Sequence, residues 1–358
     1  MSKKISIFGL GLIGGSIAKA LRTSSRSFYI KGFDSEEVIE KALKDKSIDE
    51  KIIKLEDSLD CDILFLCLPT QLSLDFFGKL VPILNPGTII TDVSGVKGVF
   101  EKKWETLSSK GIYIGGHPMT GKETSGYDSS DELLFENSVY VISDASKNEN
   151  KLNELVDIIR LMGARVRFLD PFLHDKVISN VSHLPQLLAV SLVNTAAGTG
   201  DKINYLDFAA GGFRDMTRIA SSGFGIWESV LKMNKEEIIA SIKMLRDNLN
   251  TIEDNLNADN YTAIEALFEK ARKRRDEIPK NAKGFINPLV DVFIYVKDEP
   301  GVLSKLSTIM YNNNINIKDV ELLKIREGTG GTFRVSFENE GIASIAKKLM
   351  EDAGFKTK

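Results

Sequence analysis

Three glycines near the amino terminus constrain this chain most. In KISIFGLGLIGGSIAKALR, residues 4–22, Gly9, Gly11 and Gly14 keep a G-x-G-x-x-G spacing, directly after an apolar strand-like run and directly before a helical pattern. The first glycine permits a tight turn, and the second lets a pyrophosphate approach the backbone. The third lets helix pack closely on strand, while Leu12 and Ile13 begin a helix whose first amides face the phosphates. The next strand-like run, FYIKGFD, ends on Asp34, 20 residues after Gly14, where a carboxylate can accept hydrogen bonds from an adenosine ribose. Ser35 follows, with no arginine nearby to welcome a 2′-phosphate, so NAD is expected rather than NADP. A plain glycine turn with Asp34 capping the next helix is the alternative, and the joint presence of strand, spacing and acid favours the dinucleotide.

The rest of the first half agrees. KISIF, FYIKGFD, DILFLCLP, TIITDV, IYIGGHP, VYVIS and RVRFL alternate with amphipathic segments up to about residue 170, which predicts parallel βαβ units in a doubly wound sheet. Leu68, Pro69 and Thr70 follow the third run and are expected at its carboxyl end, facing the cofactor crevice. From about 171 to 280 the periodicity is helical almost throughout. IPKNAKGFINP, residues 278–288, reads as a linker. Residues 288–358 then run strand, helix, strand, strand, helix, enough for one small α+β module.

Composition excludes several classes of function. With 42% hydrophobic and 27% charged residues the chain is an ordinary globular protein, and a net charge of −3 offers no overall basic surface for nucleic acid or anionic membrane. KARKRR, residues 270–275, reads as a solvated helix end. Cys61 and Cys67 do not make a disulfide framework, which suits a reducing cytoplasm. The glycines of the amino-terminal apolar stretch argue against a signal peptide, and no run of about 20 apolar residues suggests a membrane span.

Only three histidines occur, His117, His174 and His183. His117, in IYIGGHPMTGKETSG, is expected to end the fifth strand-like run at the carboxyl edge of the sheet. There a neutral imidazole can accept a hydroxyl proton as hydride leaves an alcohol. His183, in VSHLPQLLAV, is equally well a core histidine or a ligand of substrate, beside a proline that interrupts the helical ladder. His174, near a helix start, reads as capping or structural. No cysteine or acid lies at metal-ligand spacing around them, so no metal is expected. In GGFRDMTRIASS, Arg214 and Arg218 are one helical turn apart; they either present guanidinium forks to a carboxylate or pair with Asp215 on the surface.

Taken in order, GLGLIGGS, DVSGVKG, GGHPMTGKETSG, SHLPQLLA and GGFRDMTRIA resemble the prephenate dehydrogenase family over roughly residues 4–275. The resemblance implies a Rossmann-like NAD domain, a helical domain that pairs two subunits into a homodimer, and oxidative decarboxylation of prephenate to 4-hydroxyphenylpyruvate. It implies that His117 accepts the ring-hydroxyl proton, that His183 lies in the substrate pocket and that Arg218 binds a substrate carboxylate, with Arg214 within reach. Thr120, Gly121 and Glu123 would line or gate the pocket. Two departures stand out. The family usually reads Gly-Ser where this chain has Ser94-Gly95, which puts the catalytic part of Ser94 in question, and it often carries a histidine where this chain has Gln186.

IYVKDEPGVLSKLSTIMYNNNINIKDVEL resembles an ACT domain, a module that binds amino acids at the loop between its first strand and helix. That loop, 297–302, supplies Asp298, Pro300, Gly301 and Val302, followed by Leu303, with Asn316 expected on the next strand. The helix amides are placed to meet a ligand carboxylate, and Asp298 and Asn316 its ammonium. L-tyrosine, the end of the implied pathway, is the expected inhibitor. Rival readings are an arogenate dehydrogenase, an ACT-regulated hydroxyacid dehydrogenase and a non-catalytic NAD-dependent amino-acid sensor.

Overall fold

The computed structural model describes residues 2–122, 124–144, 149–197, 203–277, 289–297, 299–326 and 330–357. Glu123, Asp298 and the 278–288 linker therefore lie outside the described residues. The chain forms two compact units, Met1–Glu265 and Ala266–Lys358.

The first unit opens with β1 (Lys3–Phe8), α1 (Leu12–Thr23), β2 (Phe28–Phe33), α2 (Glu36–Lys44) and β3 (Glu50–Lys51). It continues with β4 (Ile63–Leu66), α3 (Thr70–Leu80), β5 (Ile89–Asp92), α4 (Gly98–Glu105) and β6 (Ile112–Tyr113). These strands make one parallel sheet in the order β3-β2-β1-β4-β5-β6. Its register aligns Ile30, Ile5, Ile63, Ile89 and Ile112 in a single row across five strands. β-branched side chains suit a pleated sheet buried on both faces, and successive residues feed two cores. Ile5, Ile7, Ile63 and Phe65 pack to one side; Phe8, Leu64, Leu66 and Ile90 pack to the other. Each fully buried aliphatic side chain contributes about 1.5–3 kcal/mol relative to exposure.

IYIGGHP is not one strand. Its first half is β6, and its second half is β7 (Gly116–Pro118), which joins a separate sheet, antiparallel to β8 (Val139–Ser143); α5 (Glu149–Leu161) then leads to β9 (Arg165–Leu169), parallel to β8. The physical reason is crowding where the chain crosses the end of β5. A Cβ on Gly116 would stand 2.8 Å from the Asp92 carbonyl oxygen, and one on Gly115 2.8 Å from the Tyr113 hydroxyl. His117 thus sits just past the parallel sheet, on the first strand of the second one.

The helical part of this unit begins with α6 (Pro171–Ile178), capped by Asp170, whose carboxylate accepts from the Phe172 and Leu173 amides. One widened π-type turn, Ser179–His183, leads into α7 (Leu184–Ala197). α8 (Gly211–Thr217), α9 (Phe224–Met233), α10 (Lys235–Asn257) and α11 (Tyr261–Asp276) follow, and the division between the units falls within α11.

The second unit carries β10 (Val290–Val296), α12 (Val302–Asn312), β11 (Asp319–Arg326), β12 (Gly330–Phe337), α13 (Glu340–Asp352) and β13 (Lys356–Thr357). This βαββαβ chain makes an antiparallel sheet in the order β11-β12-β10-β13. Val292 and Ile294 pack with Phe333 and Val335 against Leu306, Met310 and Ala346 of the two helices. Asn316, expected on a strand, precedes β11 and is exposed. No described helix is long and apolar enough to cross a membrane.

Candidate active site

The glycine loop lies where the chain reverses direction across the parallel sheet, between the carboxyl ends of β1 and β4. Gly9 has φ +90°, and a Cβ there would press within 2.8 Å of the Cys67 and Leu68 backbone. Leu68, Pro69 and Thr70 carry this second loop into α3, with Pro69 at its N-cap. Gly11 caps α1 without a side-chain hydrogen bond, so the first amides of α1, from Leu12 and Ile13 onward, keep their donors. Space above Gly11 is open, whereas Gly14 is packed tightly under the Gly9 carbonyl. Asp34 is held beside this loop: one carboxylate oxygen accepts from the Leu10 amide at 2.7 Å and the other from the Ser35 amide at 2.6 Å. A cradle open over one glycine, ringed by amides and flanked by an acid, fits a dinucleotide.

Beyond the same sheet edge lies a buried ionic centre. Asp92, the last residue of β5, pairs with Lys97, and the two are 0% and 1% exposed. Tyr113 donates to Asp92 at 2.9 Å, as does the Ser94 amide, while the Lys97 ammonium also donates to the Gly116 carbonyl at 2.7 Å. Lys97 thereby ties the backbone next to His117 to the end of the sheet. Burial pulls the Lys97 ammonium below its usual range, opposed by Asp92, and pushes the Tyr113 hydroxyl well above its own.

From this centre a chain of hydrogen bonds reaches every histidine. The Lys97 and Gly98 amides, at the start of α4, donate to the Asp175 carboxylate at 2.7 and 2.8 Å. Asp175 Oδ1 lies 2.9 Å from His174 Nδ1, and His174 Nε2 lies 2.9 Å from His117 Nδ1. Asn234 donates to the Asp175 carbonyl at 2.9 Å and lies 3.2 Å from His183 Nδ1; the His183 ring meets Trp227 edge-on at 6.0 Å. Burial dominates all three titrations. It holds His117 well below 6.5, helped by His174, Lys97 and His183; it lowers His174 against the pull of Asp175; and it takes His183 to about 4. All three rings are neutral at pH 7.

His174 is therefore not a helix cap. Asp170 fills that role, and His174 stands between His117 and Asp175 instead. Ser94 Oγ makes no hydrogen bond to His117. A Cβ at Gly95 would lie 3.6 Å from His117 Nε2, whereas the Ser94 hydroxyl is buried without a protein partner. Thr120 donates its hydroxyl to the Leu134 carbonyl at 3.1 Å, and Gly121 borders open space.

Arg214 and Arg218 do not share one regular helix. α8 ends at Thr217, and Arg218 opens a tighter 3₁₀ turn, Arg218–Ser221; both side chains are exposed. Gln186, 5% exposed, donates to the Ile219 carbonyl at 3.0 Å and so fixes that turn against α7. A cavity of about 200 Å³ beside it is lined by Leu184, Pro185, Leu188, Met216 and Ile219. Sequence reasoning missed Asp92, Lys97, His174, Asp175 and Asn234 as members of the site. The signals for them were the scarcity of histidine, since all three converge on a single network, and the DVSGVKG motif, which holds Asp92 and Lys97.

In the second unit Gly301, at φ +88°, caps α12. The start of that helix opens on a cavity of about 350 Å³, lined among others by Gly301, Val302, Leu303, Leu322 and Phe333. Among the described residues no group of three or more His, Cys, Asp or Glu is placed to hold a metal.

Comparison with known proteins agrees with this architecture. Residues 17–168 match the prephenate dehydrogenase nucleotide-binding domain, 170–270 the prephenate dehydrogenase dimerization domain, and 290–353 the ACT domain. The prephenate dehydrogenase of Lactococcus lactis is 35% identical over 358 residues, covering 98% of each chain. That of Bacillus subtilis is 30% identical over 357 residues, covering 98% of this chain and 96% of its own. The crystal structure of prephenate dehydrogenase from A. aeolicus in complex with hydroxyphenyl propionate and NAD+ superimposes with a TM-score of 0.70 at 29% identity, over 78% of this chain and 99% of that one. Synechocystis arogenate dehydrogenase gives 0.68 at 30% identity, over 76% and 99%. With a dinucleotide cradle, a buried histidine network beside it and a carboxyl-terminal ACT domain, the chain belongs to the prephenate dehydrogenase family of oxidoreductases.

Proposed function

We propose that this enzyme oxidatively decarboxylates prephenate to 4-hydroxyphenylpyruvate and CO2 with NAD, and that L-tyrosine inhibits it through the ACT domain. The observation that carries this reading is His117, a neutral imidazole anchored by His174 at the sheet edge where the cofactor loop also ends. Bound NAD supplies the hydride acceptor. His117 takes the proton of the ring hydroxyl, and the missing Cβ at Gly95 leaves room for that hydroxyl beside Nε2. Loss of the ring carboxylate then makes the ring aromatic. Ser94, whose buried hydroxyl has no protein partner, is a second polar group for the substrate. Arg218 and Arg214, exposed on and just after α8, meet substrate carboxylates, with Gln186 bracing the Arg218 turn. Thr120 and Gly121 border the entrance; Glu123, outside the described residues, is assigned with them on the sequence resemblance alone.

Asp34 selects NAD, because a 2′-phosphate beside its carboxylate would bring like charges together at a cost of about 1–4 kcal/mol. Steady-state assays with prephenate and arogenate, each with NAD and NADP, test the whole reading. The expected result is prephenate turnover with NAD favoured at least tenfold in kcat/KM; no turnover of prephenate with NAD would overturn it. Arogenate is the second substrate reading, favoured by the likeness to Synechocystis arogenate dehydrogenase.

The homodimer forms through the helical domain. Phe208, Met216 and Phe224 are 76, 60 and 67% exposed, and the matched dimerization domain spans them. Sedimentation equilibrium giving only monomer would remove this part. We place the enzyme in the cytoplasm, where its two unbonded cysteines stay reduced; detection in fractionated cells tests that.

A further inference from the structure

We propose that Asp175 is a positioning residue that sets opposite tautomers on the two site histidines, leaving His117 Nε2 bare as proton acceptor and His183 Nε2 protonated as a donor. The roles toward substrate rest on the function proposed above; the tautomers rest on geometry alone.

The first arm runs through the Asp175 carboxylate, which only accepts hydrogen bonds. Its Oδ2 takes the Gly98 amide, and its Oδ1 takes the Lys97 amide and a proton from His174 Nδ1 at 2.9 Å. A neutral His174 then has no proton on Nε2, so that nitrogen accepts from His117 Nδ1 at 2.9 Å. A neutral His117 carries one ring proton, and it is spent on this bond. Its Nε2 keeps a free lone pair on the side of Gly95, where a Cβ would stand 3.6 Å away.

The second arm runs through the Asp175 backbone carbonyl. That oxygen accepts one amide hydrogen of Asn234 at 2.9 Å, and the other points to His183 Nδ1 at 3.2 Å. Turning the Asn234 amide over would set its oxygen against the Asp175 carbonyl, oxygen to oxygen, so the orientation is fixed. His183 Nδ1 therefore accepts, and its single proton sits on Nε2. The members that fix the tautomers are withdrawn from water: His174, Asp175, His183 and Asn234 are 0, 6, 3 and 3% exposed, while His117 is half-buried. Burial also keeps the three rings neutral at pH 7, which each step requires.

One residue thus indexes acceptor and donor to the same point on α6, itself locked to the first amides of α4. Without a partner at Nδ1, a ring carries its proton on either nitrogen. In other enzymes, a catalytic histidine held in the wrong tautomer loses up to about 10⁴-fold in rate.

The test is histidine ¹⁵N NMR on the full-length protein at pH 7.5, where three histidines are assignable from single substitutions. The expected spectrum has Nδ1–H on His117 and His174 and Nε2–H on His183. Nε2–H on His117, or the same tautomer on His117 and His183, overturns the proposal. Asn234→Leu should leave His117 unchanged and release His183 to a mixture of tautomers; an unchanged His183 breaks the second arm. Kinetics separate positioning from mere packing. His174→Leu should lower kcat about 100-fold or more with the NAD dissociation constant unchanged, while His174→Gln, whose side-chain oxygen can accept from His117 Nδ1, should recover to within about tenfold of wild type. Equal losses in both, or none in His174→Leu, would defeat the role. If wild type does not turn over prephenate, the proposed reaction fails, and the NMR still decides the tautomers.

Discussion

The cofactor loop and the histidine network meet at one sheet edge, yet they are built in opposite ways. The loop is mostly local: Gly9, Gly11 and Gly14 act through backbone shape, and its one side-chain bond from afar, Asp34, closes over 24 residues onto the Leu10 amide. The network is assembled across the chain, with bonds spanning 57 residues from His117 to His174 and 78 from Lys97 to Asp175. Backbone cradles tolerate changes of side chain except where glycine itself is required, as at Gly9 and Gly14. Buried side-chain networks do not, because each member removed leaves another polar group without a partner.

The largest expected effect separates the two regions directly. His117→Asn should cut kcat by roughly 10²- to 10⁴-fold, the usual worth of a general base, while NAD affinity stays near wild type. Stopped-flow turnover and fluorescence titration of NADH read the two quantities. A variant with near-normal kcat would remove His117 from the chemistry; one that also loses NAD binding would show that loop and network are not independent.

Next in size is the ionic centre beneath them. Lys97→Met leaves Asp92 charged, 0% exposed and without its ion-pair partner, and breaking a buried pair this way costs about 3–5 kcal/mol. Urea unfolding measures it. Asp92→Asn combined with Lys97→Met should recover much of the loss, and an equally unstable double variant would mean that the pair matters for its contacts rather than its charge.

The same contrast explains what could be read in advance. Local backbone signals were legible: the glycine spacing, the alternation that yields the parallel sheet, and the helical periodicity after Pro171 all appear as expected. IYIGGHP misled because strand propensity is local, whereas the switch between sheets is imposed by Asp92 and Tyr113 crowding Gly115 and Gly116. His174 misled for a related reason. An acid and a histidine near a helix start satisfy the capping pattern; Asp170, with Pro171 after it, already fills the cap through local bonds, and only tertiary packing reveals that His174 reaches His117 instead. Gly95 shows the finest limit, since its closeness to His117 Nε2 is a matter of backbone rotation that no spacing rule encodes.

Acid stability sharpens the comparison further. The folded chain holds His183 at about 4, against 6.5 for an unperturbed ring, because burial disfavours the charged form. The unfolded state therefore binds the proton first. Stability is complete above pH 6.5, falls as pH drops from 6.5 toward 4, and levels off below; His183 alone accounts for on the order of 3 kcal/mol. His117 and His174 are lowered too and steepen the loss in the same direction. Because carboxylates titrate in both proteins, the useful quantity is the difference between wild type and His183→Gln across pH 4–7.5. A pH-independent difference would contradict the burial of a neutral His183.

The smallest effect concerns the second unit, where again a backbone feature, Gly301 at the start of α12, opens on a cavity large enough for an amino acid. The Val302 and Leu303 amides there can meet a ligand carboxylate at the positive end of the helix. If L-tyrosine binds here and prefers a less active arrangement, linkage of about 1–3 kcal/mol would weaken prephenate binding roughly 5- to 150-fold. Tyrosine also resembles the product, so competition at His117 is the rival explanation, and the two make different demands on the chain. Ending the protein after residue 287 removes the ACT domain and leaves the first unit whole. Regulation through the ACT domain requires that this truncate keep its turnover and lose its response to tyrosine. Undiminished inhibition in an active truncate would move tyrosine into the catalytic pocket, where raising prephenate should then displace it.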